Sequence, residues 1–422
     1  MREFTCIGTF IILVSWNMIL HARHPEAIDW QYDIDLLERE LAEKHPDLFR
    51  GKDSASFHHA LERVAGRACN GSLFDVSVQL QQVLAGLGDP YTAVNYHYLI
   101  RSEAILPLVC VWFEEGIFVM ETSETCSRIV GKKLVTVNEA PIAQVIDSLT
   151  TLLVPQNVSL IKAETERMLS WAQLLQYFGF AGQDGVHMGF EDTDGNPDRV
   201  FFPLPTRNAH AVRLDPVSVP EGWKDRKAYF RDRYFPEEQL YYIQYNHCWS
   251  REVEVRHGSG SAALFMPVFR DFERRVFRHI RREKIEKLVI DLRFNEGGVA
   301  SQGTAFIDKL SRSRLNGKGK IYVILGRHTF STAVIHAVEL IRMTDAITVG
   351  EPTGGRPNHF GEIRRFVLPE TGLVVSHPTR FFQLMESDPP TLQPDIDVTL
   401  YYRDYMKGVD AFLQAVKDHR AD

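Results

Sequence analysis

Two segments between Lys287 and Thr332 decide how this chain reads: KLVIDLRFNEGG, residues 287–298, and IYVILGRHTFST, residues 321–332. In the first, a largely apolar run from Leu288 to Leu292 leads into Arg293, Asn295, Gly297 and Gly298. In the second, another apolar run leads through a short turn to Ser331, which opens a helical pattern. Short apolar runs bounded by turn residues read as buried strands. A glycine pair and a helix-opening serine, each just past a strand, are the parts of an acyl-transfer site. Glycines free backbone N–H groups to hold an oxyanion, and a serine hydroxyl can attack a carbonyl. Each feature also has a plainer reading. A serine at a helix start is commonly an N-cap, and paired glycines commonly make a tight turn.

The flanking pattern is regular. From residue 240 it runs strand LYYIQY, a long helix over 262–284, a strand over 287–292 and a helix after Gly298. A strand over 320–325, a helix from Ser331 and the strand AITVG follow. Strands alternating with helices imply a parallel sheet with right-handed crossovers. Ligands in such sheets bind beyond the carboxyl ends of the strands, where Gly297-Gly298 and Ser331 both fall. Upstream, residues 28–88 carry three helical patterns, and 105–152 hold short strands followed by the helix APIAQVIDSL. Residues 155–240 combine a helix over 159–177 with Gly-, Asp- and Pro-rich strands.

A chain of 422 residues can bury two or three cores. Its net charge of −7 argues against a general nucleic-acid binder. The basic run over 270–287, together with Phe269 just before it, carries Phe272, Val276 and Ile280 at helical spacing, as a helix with a solvated cationic face would. The five cysteines lack ligand spacing, so a zinc site is not expected, and nothing else in the sequence implies a cofactor. Arg2, the apolar run from Cys6 to Leu20 and the small residue Ala22 predict a secretory signal peptide over 1–22, with an uncleaved anchor as the alternative. The expected location is therefore secreted or in the cell envelope, and the anchor reading would put the protein near a membrane.

Several segments together resemble the tail-specific, or C-terminal-processing, serine peptidase family. That family includes the tricorn core and the repeats of interphotoreceptor retinoid-binding protein. Its DLRxNxGG motif is similar to Asp291–Gly298, and its nucleophile motif to Thr329–Ala333. LAGLGDPYTAV, GEPTGGRPNHFGE, LQPDIDV and DYMKGVDAFLQAV also look like family segments, and the likeness covers about 30–415. The segment GKKLVTVNEAPIAQV is similar to the end of a PDZ domain. The implied fold class is α/β, with an N-terminal helical region over 28–100, a small PDZ-like β module over 101–155 and a crotonase-like core of parallel strands over 156–422.

The resemblance implies a serine-type peptidase acting on a polypeptide or peptide. Ser331 would be the nucleophile, Gly297 and Gly298 the oxyanion loop, and Thr332 the donor of a second N–H. The departures from the family matter as much. Arg356 stands about where the tail-specific branch has its lysine base, and a guanidinium cannot take a proton. Tyr91 stands where the tricorn branch has its histidine, and a phenol with a pKa of ~10 is mostly a donor at neutral pH. Asp388 looks like the tricorn acid. Arg356 also reads as a loop cation or a carboxylate clamp, Tyr91 as a packed residue or a hydroxyl near Ser331, and Asp388 as a turn residue. His359 is a candidate substitute base. His336, five residues after Ser331 on one helix, would point away from it. The alternative function is a degenerate peptide or ligand binder lacking the base. An acyl-CoA enzyme of the crotonase fold is a third reading, by fold analogy alone.

Overall fold

The computed structural model describes residues 28–154, 157–206 and 210–420; the N-terminal apolar segment lies outside them. The chain is a mixed α/β protein. Its central sheet has six strands, ordered Ile396–Asp397, Ile347–Gly350, Ile321–Leu325, Lys287–Asp291, Leu240–Tyr245 and Phe230–Phe235. All neighbours pair in parallel except the last two, which pair antiparallel.

The apolar runs are explained by burial on both faces. Tyr241, Ile243, Leu288, Ile290, Ile321 and Val323 pack in one core, beneath the helices Phe269–Arg282, Ala300–Ser311 and Thr332–Met343. Their alternate neighbours Leu240, Tyr242, Val289, Tyr322 and Ile324 pack in a second, against Phe412, Leu413 and Val416 of the helix Ala411–Asp418. Strands buried on both faces carry near-continuous hydrophobic runs instead of an alternating pattern. The carboxyl ends of the two central strands then deliver Gly297–Gly298 and Ser331 to one edge of the sheet.

A second sheet is antiparallel, with the order Leu108–Phe113, Gly116–Ser123, Lys133–Val137, Gly185–Glu191 and Pro197–Pro203. Its strands therefore lie on both sides of residue 155. The helices Ile142–Thr150, Val158–Met168 and Ala172–Tyr177 share its core. Three N-terminal helices, Trp30–Lys44, Ser54–Ala68 and Leu73–Ala85, pack against Leu368, Leu373 and Val375 from far along the chain.

Two expected helices are shorter than their patterns. The helix expected over 159–177 breaks after Met168, because the Ser170 carbonyl accepts from Leu106 N–H at 2.7 Å and Trp171 bridges to Ile105. Tertiary pairing overrides helical periodicity there. The helix expected over 262–284 starts only at Phe269; a short turn over Ala263–Phe265 precedes it and Pro267 separates the two. Proline disfavours helical backbone in the residue before it.

Asp291, Arg293 and Asp410 form a buried ion cluster under the central sheet. Arg293 lies 2.8 Å from Asp291 and 2.9 Å from Asp410, which caps the helix Ala411–Asp418. Removing the guanidinium would strand two buried carboxylates. Arg293→Ala is expected to lower stability by about 3–5 kcal/mol, read by denaturant unfolding. A loss under about 1 kcal/mol would mean that water satisfies the cluster.

Candidate active site

Asn295 ties the two loops together. Its Oδ1 accepts from Gly297 N–H at 2.9 Å, its Nδ2 donates to the Tyr245 carbonyl at 2.8 Å, and its own carbonyl accepts from Phe330 N–H at 3.0 Å. Gly297 has φ of 106°, and a Cβ there would lie 2.9 Å from Ser331 Cβ and 3.0 Å from Thr332 N. Gly298 has φ of 139°, and a Cβ there would collide with the Cys248 carbonyl instead. Both positions require glycine, for different reasons. The Gly297 N–H is taken by Asn295. Those of Gly298 and Thr332 donate to no group among the described residues.

Ser331 has φ of 54° and ψ of −124°, and its side chain makes no capping bond to the helix that follows. The plain N-cap reading therefore does not hold. A non-glycine residue in such a conformation carries about 1–3 kcal/mol of strain and persists only where its surroundings enforce it. The Tyr91 phenol lies close enough to the Ser331 side chain for that hydroxyl to act on its titration.

Tyr91 is held from three sides. Its N–H donates to Asp89 Oδ1 at 3.1 Å, and its ring lies 5.3 Å from that of Phe330 and 5.9 Å from that of His359. The other Asp89 oxygen accepts from Thr92 Oγ1 at 2.6 Å and faces His45 Nε2 at 3.3 Å. His45 Nδ1 accepts from Asp47 N–H at 3.1 Å, so Nε2 carries the proton that points at Asp89. Burial pushes the Tyr91 phenol well above its ordinary range; the nearby Ser331 hydroxyl opposes this and the Asp89 charge adds to it. Tyr91 thus stays protonated and cannot be the base.

The remaining candidates fall nearby but pair with other groups. Gly355 passes close to the Ser331 backbone, since a Cβ there would lie 3.1 Å from Ser331 N. Arg356, the next residue, meets Asp388 Oδ1 at 3.1 Å. The lysine-position cation and the candidate acid therefore hold each other. His359 donates Nδ1–H to the Pro357 carbonyl at 3.0 Å and stacks on Phe382 as well as Tyr91. Burial lowers its pKa, so it is a neutral imidazole whose Nε2 lone pair can accept. Among the described residues no cluster of His, Cys, Asp or Glu could hold a metal ion, and no helix is long and apolar enough to cross a membrane.

No family model and no curated protein sequence matches the chain. Among solved structures, mature CPAF in complex with lactacystin superposes with a TM-score of 0.65 and 15% identity, over 92% of this chain and 97% of that one. A second structure of mature CPAF gives 0.63 at 15% identity, over 92% and 96%. The chain has the fold of CPAF, a tail-specific peptidase. The photosystem II D1 C-terminal processing protease is more distant, with a TM-score of 0.41 and 14% identity over 91% of this chain and 99% of that one.

Within this CPAF fold, some residues that shape the site carried no signal in the sequence. His45 is singled out by no pattern in the sequence, and only the fold brings it to Asp89, 44 positions along the chain. Cys248 lies directly behind the oxyanion loop, accepting from Val299 N–H at 2.8 Å. His336 faces that cysteine at 3.4 Å and donates to the Ala300 carbonyl at 2.9 Å. Burial pushes His336 down to about 4, which keeps it neutral and structural.

Proposed function

We propose that this chain is a serine-type peptidase of the tail-specific kind, acting on a polypeptide or peptide. On this reading the six-stranded sheet and its helices are a crotonase-like core, and the antiparallel unit contains a PDZ-like module. Ser331 Oγ attacks the scissile carbonyl, and the N–H groups of Gly298 and Thr332 receive the oxyanion. The serine proton passes through a bridging water to His359 Nε2 and then to the leaving amine. Water next attacks the ester, giving the free acid and restoring Ser331. Arg356, locked to Asp388, lends positive charge beside the site. The observation that carries the reading is the strained Ser331, free of any capping role, with Gly297 packed against it and the N–H groups of Gly298 and Thr332 donating to no group among the described residues. Casein hydrolysis that Ser331→Ala abolishes would support it; hydrolysis that survives in the variant would reject it.

A second reading, a peptide or ligand binder without turnover, is favoured by one observation: the two positions expected to hold the base carry Arg356, paired with Asp388, and Tyr91, whose phenol burial keeps protonated. Tyr91→His separates the two readings. An imidazole in that place would sit against the Ser331 hydroxyl as a general base, an effect of about 100- to 10,000-fold. Faster casein hydrolysis is the expected outcome, and no gain in a folded variant would count against the placement of Tyr91. Arg356→Lys is expected to help far less, because Asp388 would hold the new ammonium charged.

We further propose a secreted or envelope-located protein, on the strength of the N-terminal apolar run. The mature chain should begin shortly after residue 22. N-terminal sequencing that recovers Met1 on soluble protein would refute this.

A further inference from the structure

We propose that His328, set between Glu166 and Glu296, is a positioning residue that locks the oxyanion loop to the nucleophile loop. The inference rests on the peptidase reading of Ser331. His328 lies three residues before Ser331, and Glu296 immediately precedes Gly297. His328 Nδ1 lies 3.7 Å from Glu296, and its Nε2 lies 3.5 Å from Glu166 on the helix Val158–Met168. Each ring nitrogen therefore faces a carboxylate. A neutral imidazole has one N–H and can satisfy one of them; only the cation presents a donor to both.

The surroundings fix both carboxylates. Glu166 also accepts from Arg327 Nη1 at 2.9 Å and Trp112 N–H at 2.9 Å. Glu296 also faces Arg167 Nη2 at 3.8 Å. Arg226, whose guanidinium lies 3.9 Å from the Phe294 ring, supplies further positive charge near the pair. Burial lowers the pKa of the nearby His247 and so favours its neutral form. Arg327 is paired in turn with Glu351. One helix thus grips both loops of the site, by Arg167 on Glu296, by Glu166 on Arg327 and through the imidazolium between the two carboxylates, at a point where no step of the reaction uses it.

The geometry makes the lock pH-dependent. Burial opposes the His328 charge, but Glu166 and Glu296 outweigh it and hold the imidazole above its ordinary 6.5. A raised folded-state pKa means that the lock is complete below about 6.5 and is lost as pH rises through the folded value.

The test uses the full chain with His328→Gln, which keeps shape and removes charge, and His328→Lys, which restores a cation. Two quantities are read across pH: the rate at which a fluorophosphonate labels Ser331, and amide hydrogen exchange over 295–299 and 330–333. His328→Gln is expected to slow labelling by roughly 100-fold, the scale of a small misplacement of reacting groups. Exchange should rise in both segments together. His328→Lys should recover both quantities, and the ratio of wild-type to His328→Lys labelling should fall as pH rises above the ordinary imidazole range. Unchanged exchange in both loops of His328→Gln, or no rescue by lysine in a folded protein, would overturn the proposal. If the wild type is not labelled at all, the peptidase reading fails, and the exchange data still decide whether the lock exists. Should His328→Gln not fold, Glu296→Gln removes the same link from the more exposed side and is expected to open the same two segments.

Discussion

Gly297→Val is expected to remove casein hydrolysis almost completely, by about 100- to 1000-fold or more, the usual loss for one oxyanion donor. The reason is local. A Cβ at 297 would stand 2.9 Å from Ser331 Cβ and 3.0 Å from Thr332 N, the backbone donor assigned to the oxyanion. The φ of 106° at this position also disfavours any β-branched residue, so the loop would shift as well. A thermal melt separates the two effects. A variant that keeps a cooperative transition yet loses turnover supports the assignment, whereas full activity would place the chemistry elsewhere. Gly298→Val is a blunter change, since its side chain would strike the Cys248 carbonyl and move the whole loop.

Ser331→Ala is expected to abolish turnover with a stability change within about 1 kcal/mol, because the serine makes no capping bond whose loss would weaken the helix. The strained backbone remains in the alanine variant, so little strain is released. Loss of the Ser331 hydroxyl beside the buried Tyr91 phenol is the main source of any destabilisation. A fall of several kcal/mol would make Ser331 a structural residue. If the binder reading is right, there is no turnover to lose, and affinity for a peptide survives the substitution.

What could be read from the sequence follows from how local each signal is. The central strands were legible because burial on both faces leaves unbroken apolar runs such as Ile321–Leu325. The turns after them were legible because glycine pairs and a helix-opening serine are local punctuation. The role of Ser331 was not, since an N-cap and a strained nucleophile share the same residue at the same point of the pattern; φ of 54° separates them. Arg356 and Asp388 were each singled out, but their pairing across 32 positions is a product of the fold. The same holds for Tyr91 on Ser331 and for His45 under Asp89. His328 could have been noticed as a histidine beside the nucleophile motif, yet nothing in its neighbours hinted at Glu166. The helix expected over 159–177 failed where Ser170 and Trp171 pair with strand-edge backbone, a competition that periodicity cannot reveal.

The central claim is that Ser331 is a nucleophile facing an oxyanion site. Its most direct test is to incubate the folded wild-type chain with a fluorophosphonate and map the adduct by peptide mass spectrometry. The account predicts one phosphonyl group per chain, on Ser331, absent from Ser331→Ala and formed faster in Tyr91→His. An adduct on another residue, or none on Ser331 in a protein shown to be folded, would contradict it.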